Sequence, residues 1–389
     1  FIMSEFQASN FNKENGGTPD LLGKTELTSP YFFVPPSGTT AERPQSCAPG
    51  TLRFNTDIGT LEVYRGDTVG WEQIQRRESQ YLGGGSGSNA GLGHRGVAFG
   101  GNTGSIVNTM EFITISTLGN AQDFGDLTTV SSRGGALSSA TRGVRGGGQT
   151  PSTINTIEFI TIASTGNASN FGDLNYTPKF PAPMANSVRG IWAGGYTPTL
   201  TDIMDFVTIA QTGNAIDFGD LNVQRNRASG CSSPTRGLVL GGASSSPNPS
   251  FLEGMNHIDF VTIMSTGNGT DFGDLSVTKF QNVAVSNATR GVIFGGRTQP
   301  NGDANNVIDF VTIATTGNAI DFGDDSVAKT SSAGVSSPTR GVSMGGQPGY
   351  NIIEFVEIAT TGNAKDFGDL VSANKRQSTG GASSGHGGS

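Results

Sequence analysis

Apolar and polar positions along the chain follow one pattern six times over. The pattern is plainest between Asp205 and Gly242. An apolar run (Asp-Phe-Val-Thr-Ile-Ala) leads into a Thr-Gly-Asn turn. A second short run ends in Phe-Gly-Asp-Leu. A stretch of small residues follows, and then Thr-Arg-Gly-Leu-Val-Leu-Gly-Gly. Repetition at a fixed period constrains a fold more than any local signal does. Each unit reads as four short strands: the small-residue run 228–232 is strand a, 236–242 is b, 258–264 is c and 271–275 is d. Strand c is apolar on both faces (Ile258 and Phe260 against Val261 and Ile263), as a sheet covered on both sides requires. Strand a carries the smallest side chains, which suits a crowded innermost position.

Three columns mark the repeat. One holds Phe112, Phe159, Phe206, Phe260, Phe310 and Phe355, each preceded by Asp or Glu. A second holds the aspartates of Phe-Gly-Asp: Asp126, Asp173, Asp220, Asp274, Asp324 and Asp369. The third holds the arginines of Arg-Gly: Arg95, Arg142, Arg189, Arg236, Arg290 and Arg340. Each column aspartate is followed 16 residues later by the next column arginine, so that part of the unit is rigid in length. All variation falls between Gly-Gly and the [Asp/Glu]-Phe pair, a gap of 9 residues in the first three units and then 16, 12 and 7. Four strands in about 50 residues, six times, predict a six-bladed β-propeller. An open solenoid is the competing architecture. The last small-residue run, 378–384, has no strand b after it. It is expected to complete the first blade and so remove two open sheet edges. The Gly-Gly closing strand b resembles the kelch and galactose-oxidase propellers. The kelch Trp and Tyr positions are missing here, so kelch partners and enzyme sites do not transfer.

The first 78 residues differ from the repeats. Residues 50–57, 61–65 and 71–74 predict a three-stranded meander, too small to be stable without copies of itself or a neighbour. Homotrimerisation would supply the copies. Residues 1–35 show no sustained period and read as an extended arm that orders on a partner, or else as a disordered tail; Tyr31, Phe32, Phe33 and Val34 are apolar for a free tail. Residues 79–94 are rich in Gly and Ser and read as a linker or a degenerate first strand. The expected domains are thus an arm (1–35), a small β module (36–78) and the propeller (79–389). The predicted fold class is all-β: a six-bladed kelch-like β-propeller preceded by a small β meander and an extended N-terminal arm.

Pro-Ser-Gly-Thr-Thr-Ala-Glu-Arg-Pro (36–44), Gly-Thr-Leu-Arg-Phe-Asn-Thr-Asp (50–57), Leu-Glu-Val-Tyr-Arg-Gly (61–66) and Gly-Trp-Glu (70–72) together resemble a module of bacteriophage tail-fibre and virion structural proteins, those of marine cyanophages above all. The repeats from 95 onward resemble Gly-rich repeats of such proteins. The resemblance implies a virion location, contacts with other virion proteins through residues 1–35, a homo-oligomer with a trimer favoured, and either host-receptor binding or a purely structural role as a capsid decoration, nozzle or baseplate fitting.

Composition narrows the chemistry. The net charge is −8, without clustered Lys or Arg, which argues against nucleic acid and anionic membrane surfaces. No apolar run approaches the ~20 residues of a membrane span. Cys47 and Cys231 are too few and too distant for a disulfide framework. His94-Arg95-Gly96 with Asp123-Phe124-Gly125 mimics part of the kinase catalytic set, but Asp-Phe-Gly recurs in five of six units and a catalytic aspartate is needed once. Asn214, Asp217 and Asp220 lack the alternate-residue spacing of a Ca²⁺ loop and read as turn caps. The column Arg is expected to pair with a column Asp of a neighbouring strand. No catalytic residue, metal or cofactor is predicted. A glycan-cleaving enzyme would need paired carboxylates converging at the channel mouth. The variable connections are the expected recognition surface, on a host glycan or protein, with Phe251, Leu252, Met255, His257, Arg297, Asn301 and Asp303 as candidates. The bland alternative is that these are tolerated insertions.

Overall fold

A computed structural model describes residues 35–45, 47–57, 60–73, 94–245, 252–299, 302–371 and 380–389. The predicted arm lies outside these residues but for its last position, as do nearly all of 79–94, Phe251 and Asn301. The chain divides into two units, Phe1–Arg77 and Glu78–Ser389.

In the first unit the three expected strands form as Leu52–Asn55, Thr60–Tyr64 and Trp71–Gln73, antiparallel in sequence order. A fourth, two-residue strand, Ser37–Gly38, adds in parallel beside Leu52–Asn55. The alternation along these strands buries the polar side. Arg53, Asn55, Glu62 and Tyr64 are buried, whereas Leu52 is 45% and Leu61 38% exposed. Glu62 sits between Arg43 and Arg53, and the Arg43 hydrogen bond holds its carboxyl below the usual carboxylate range. Trp71 Nε1 donates to the Pro44 carbonyl at 2.9 Å, tying the preceding segment down.

The second unit is all-β, with six four-stranded antiparallel sheets among its described residues. Sheet 4 shows the pattern: a is Ser229–Ser232, b Arg236–Leu240, c His257–Thr262 and d Thr270–Asp274. Sheets 2, 3, 5 and 6 begin with Gly135–Ser138, Ala182–Ala185, Val283–Ser286 and Ala333–Ser336. In sheet 1 strand a comes from the far end of the chain. Gly380–Ser383 pairs antiparallel with Arg95–Asn102, as the orphaned small-residue run predicts.

Each sheet packs on the next through its own apolar cluster. Val97, Phe99 and Met110 of sheet 1 meet Ala136, Ile160 and Ile162 of sheet 2. Val335, Val342 and Met344 of sheet 6 meet Ala98, Ile113 and Ile115 of sheet 1 in the same way. Within every sheet the Phe of strand c packs edge-to-face on the Phe of strand d, centroids 5.8 to 6.2 Å apart. Such pairs contribute about 0.5–1.5 kcal/mol each beyond their burial.

Backbone bonds also cross between sheets. Gly213 N and Ala215 N, in the turn between c and d of sheet 3, donate to Phe171 O and Asp173 O of sheet 2, both at 2.8 Å. Gly119 N and Ala121 N make the same bonds to Phe367 O and Asp369 O, from sheet 1 to sheet 6. The close approach explains the glycine of Phe-Gly-Asp. Gly219 has φ +137°, and a Cβ there would stand 2.6 Å from the Gly267 carbonyl oxygen.

The arginine column forms a ladder, but not the expected one. Each guanidinium lies over the Phe of strand c in its own sheet, 4.1 to 4.7 Å from the centroid. Its Nη1 donates to backbone carbonyls at the end of strand c in the next sheet. Arg236 reaches Ile313 O and Ala314 O at 3.2 and 3.0 Å, and Arg340 of sheet 6 reaches Ile115 O and Ser116 O of sheet 1. The pairing of column Arg with column Asp is therefore corrected. The register sets Arg189 opposite Thr208 and Asp220 opposite Ile203, five residues apart along strand c and so about 16 Å. The Asn of Thr-Gly-Asn caps the column Asp instead: Asn214 Oδ1 accepts from Asp173 N at 3.1 Å, and the other five sheets repeat this bond.

Candidate functional site

The six a strands surround a cavity of about 150 Å³. Small side chains line its wall, with Met184, Val283, Val335 and Cys231 among them. Burial pushes the Cys231 thiol up to about 12, which leaves it unreactive.

At one end the a strands finish in a run of side-chain bonds from strand to strand. Ser232 Oγ donates to Ala185 O, Ser286 Oγ to Ser232 O, Ser336 Oγ to Ser286 O and Ser138 Oγ to Ser383 O, all between 2.6 and 2.9 Å. The residues after Ser383 lie against these bonds. His386 Nε2 donates to Ser138 O at 2.6 Å, and its Nδ1 accepts from Gly388 N at 3.1 Å. A Cβ on Gly388 would stand 1.8 Å from Ala185 O. Both imidazole nitrogens are thus used by the neutral ring, and burial pushes its pKa down to about 4.

At the other end Arg133, Phe180, Arg227, Gln281 and Ser331 each precede a strand a, and each has φ between +55° and +62°. Non-glycine residues in this region cost on the order of 1 kcal/mol apiece and cluster where structure over-determines them. Here a chain of backbone bonds does so. Phe180 N donates to Arg133 O, Arg227 N to Phe180 O, Gln281 N to Arg227 O and Ser331 N to Gln281 O. The geometry fixes the backbone and leaves the side chain unspecified at every position.

The variable connections rise beside this mouth as hairpin arms. In sheets 1 and 3 strands b and c simply extend, to Asn102 and Thr197 on b. In sheets 2, 4 and 5 small hairpins stand apart, Gln149–Thr150 with Ser152–Thr153, Ala243–Ser245 with Leu252–Gly254 and Arg297–Thr298 with Asp303–Ala304. The first residue of each arm bridges to the residue before the left-handed one, as Lys179 to Tyr196 and Phe280 to Arg297. Arg133 Nη1 donates to Gln149 Oε1 at 2.8 Å, and Arg297 donates to Gln281 Oε1 and Gln347 Oε1 at 3.0 and 3.1 Å.

The structure separates the sequence candidates. Arg297 belongs to the mouth. His257 turns inward, its Nε2 3.0 Å from the buried Asp259. Met255 is half-buried and contributes backbone bonds to Gly242 and Lys279. Asp303 is exposed at the arm, Leu252 begins the second strand of its hairpin, and Phe251 and Asn301 lie outside the described residues.

A fourth column had passed unread in sequence. The acidic residue before the strand c Phe (Glu111, Glu158, Asp205, Asp259, Asp309, Glu354) is at most 4% exposed in every sheet. Each accepts a hydrogen bond from the residue two beyond the Phe-Gly-Asp aspartate of the preceding sheet, such as Asn175 N to Asp205 at 2.7 Å and Val371 N to Glu111 at 3.0 Å. In sheets 4 to 6 a buried cation joins: Arg225 with Asp259, Lys279 with Asp309 at 2.9 Å, and Lys329 with Glu354. Near Glu158 the buried cation is Arg145, whose pKa burial pushes down to about 10. These carboxylates face protein donors and hold neighbouring sheets together. Asp325 breaks the pattern, because it occupies the place of Leu127, Leu174, Leu221, Leu275 and Leu370. Burial pushes its carboxyl up to about 7 against the pull of Lys329, 3.6 Å away. Among the described residues no group of three or more His, Cys, Asp or Glu is placed to hold a metal ion.

No known family matches the sequence, and no curated protein matches it either.

Proposed function

We propose that the six sheets are the blades of a kelch-like propeller closed by its C-terminal strand, and that the chain is a virion protein of a bacteriophage, a tail-fibre or appendage component that binds a host-surface glycan or protein. The closure is supported by the pairing of Gly380–Ser383 with Arg95–Asn102 and by the apolar cluster joining sheets 6 and 1. The virion reading rests on the resemblance of 36–72 and of the repeats to phage structural proteins. The observation that carries binding is the contrast between the two ends of the a strands. One end repeats the same contacts in sheet after sheet. The other fixes backbones and varies side chains, as recognition on a rigid frame requires. Residues 1–35 would grip the virion. A second copy is the natural cover for the apolar face of the first unit, with Leu52 and Leu61 exposed, and a trimer of the small module would place three propellers on one stem.

The test is adsorption of the parent phage to host cells with the purified chain added as competitor. Inhibition is expected. Absence of inhibition by folded protein would favour the purely structural role, a decoration, nozzle or baseplate fitting. Sedimentation of the chain at several concentrations tests the trimer, and a strictly monomeric species would remove it.

A further inference from the structure

The protein is acidic overall, yet four cations gather at the open end of the cavity. Arg133, Lys179, Arg227 and Arg297 stand at the mouth in four successive sheets, 2 to 5. The Arg133 and Arg227 guanidinium groups both lie over the Phe180 ring, 5.2 and 5.1 Å from its centroid. The Lys179 ammonium lies over Tyr196 at 4.8 Å. Among the described residues Arg297 bonds neutral acceptors, Gln281, Gln347 and the Gly302 carbonyl. The ion pairs of the described residues all lie elsewhere.

The charges feel one another. Burial foremost, and then the Arg133 and Arg227 charges, lower the Lys179 pKa; burial foremost, and then Arg133 and Arg297, lower that of Arg227. Arg227 Nε is buried without a hydrogen-bond partner. Packing like charges together costs energy that a bound anion would return. The aromatic rings offset part of this cost, since the face of each ring attracts the cation over it. They also hold the guanidinium groups in place, which lowers the ordering cost of binding. Arg133 and Arg227 line the cavity wall together with Ser229, Gln281 and Asn282, so donors continue inward. The cavity has room for about five waters, and hence for a group that displaces several of them.

We propose that this mouth is a binding site for a carboxylate-bearing saccharide, its carboxylate taken up by the guanidinium groups of Arg133 and Arg227 that stack on Phe180, with Lys179 and Arg297 adding positive charge, and its sugar hydroxyls directed toward the amide and hydroxyl groups of the cavity wall. The anion preference stands on the cations alone; the word saccharide rests on the receptor reading above. A planar guanidinium matches a carboxylate with two parallel bonds, which a lysine in its place would not reproduce.

The experiment is calorimetric titration of the full chain with trigalacturonate at low salt, with galactotriose as the neutral match and inorganic phosphate as the bare anion. Saturable binding of trigalacturonate but not galactotriose is expected, weakened at least about tenfold by Arg133→Gln and by Arg227→Gln, the loss of one charged hydrogen bond. Unchanged thermal melting certifies the fold of each variant, and Lys179→Gln replaces any variant that fails it. Phosphate binding as tightly as trigalacturonate would overturn the saccharide and leave a bare anion site. No binding of trigalacturonate, or binding indifferent to the substitutions, would overturn the proposal. The phage-competition assay separates the two readings. Competition without trigalacturonate binding keeps the receptor role and removes this site; trigalacturonate binding without competition keeps this site and removes the receptor role.

Discussion

The two ends of the a strands solve one problem differently. At the serine end, side chains do the joining: hydroxyls bond to the next strand, arginines bridge to the next sheet, and the residue types recur because the bonds need them. At the mouth, backbones do the joining, residue to residue through left-handed positions, and Arg, Phe, Arg, Gln and Ser all serve. An end held by side chains cannot vary its sequence without loosening. An end held by main chain can vary its side chains, so it is the end where binding chemistry accumulates at little structural cost.

The strongest way to break this contrast is to remove the segment that the serine end depends on. Deletion of 380–389 strips strand a from sheet 1 and leaves an open edge. It is expected to shift the protein into aggregates on size exclusion and to open it to limited proteolysis throughout 94–371. Next comes Gly219→Ala, which forces a Cβ against the Gly267 carbonyl from a left-handed backbone. A loss on the order of 3 kcal/mol is expected in urea unfolding. Arg236→Ala removes two charged hydrogen bonds and a cation–π contact. It should cost about 2–3 kcal/mol, and Arg236→Lys should recover only a minor part of it.

Asp325→Leu acts in the opposite direction. It restores the residue of the other five repeats and leaves Lys329 paired with Glu354. Asp325 has a folded pKa above its unfolded one, so the folded state holds the extra proton and stability falls as pH rises from about 4 to about 7. The substitution should therefore stabilise the protein more at pH 8 than at pH 5, by on the order of 1–3 kcal/mol at the higher pH. His386 slopes the other way, because its depressed pKa gives stability that is lost as pH falls from about 6.5 to about 4. A thermal-melting series across pH 4 to 8 for both proteins checks the sign. Smallest of all is Arg133→Gln at the mouth, expected to leave stability within about 0.5 kcal/mol. A larger loss would mean that the mouth is as tightly determined as the serine end.

The strand order and the use of 380–383 in sheet 1 were legible in the sequence, because a fixed repeat exposes its own missing piece. The partners of the Arg column were not, since same-spaced Arg and Asp columns look complementary in one dimension while the register holds them at opposite ends of strand c. The buried carboxylates went unread because an acid beside a Phe in a strand reads as a solvated face; six recurrences of Asp or Glu before Phe were the available signal. The mouth cations were invisible to periodicity. Arg133, Lys179 and Arg227 sit at or beside a position where the repeat conserves a φ angle and no residue type.

The pairing of Gly380–Ser383 with Arg95–Asn102 also sets an order in time. As the chain is synthesised, sheets 2 to 6 complete themselves one after another from neighbouring residues. Sheet 1, made first, waits with its inner edge bare until nearly 300 further residues have been added, as the bond from Arg95 N to Ser384 Oγ across 289 positions records. That last contact carries the largest loop-closure cost in the molecule. Folding should then show a late, slow phase reported by sheet 1 alone. A ribosome stalled short of residue 380 would hold five finished sheets and one exposed edge, open to any strand that reaches it first.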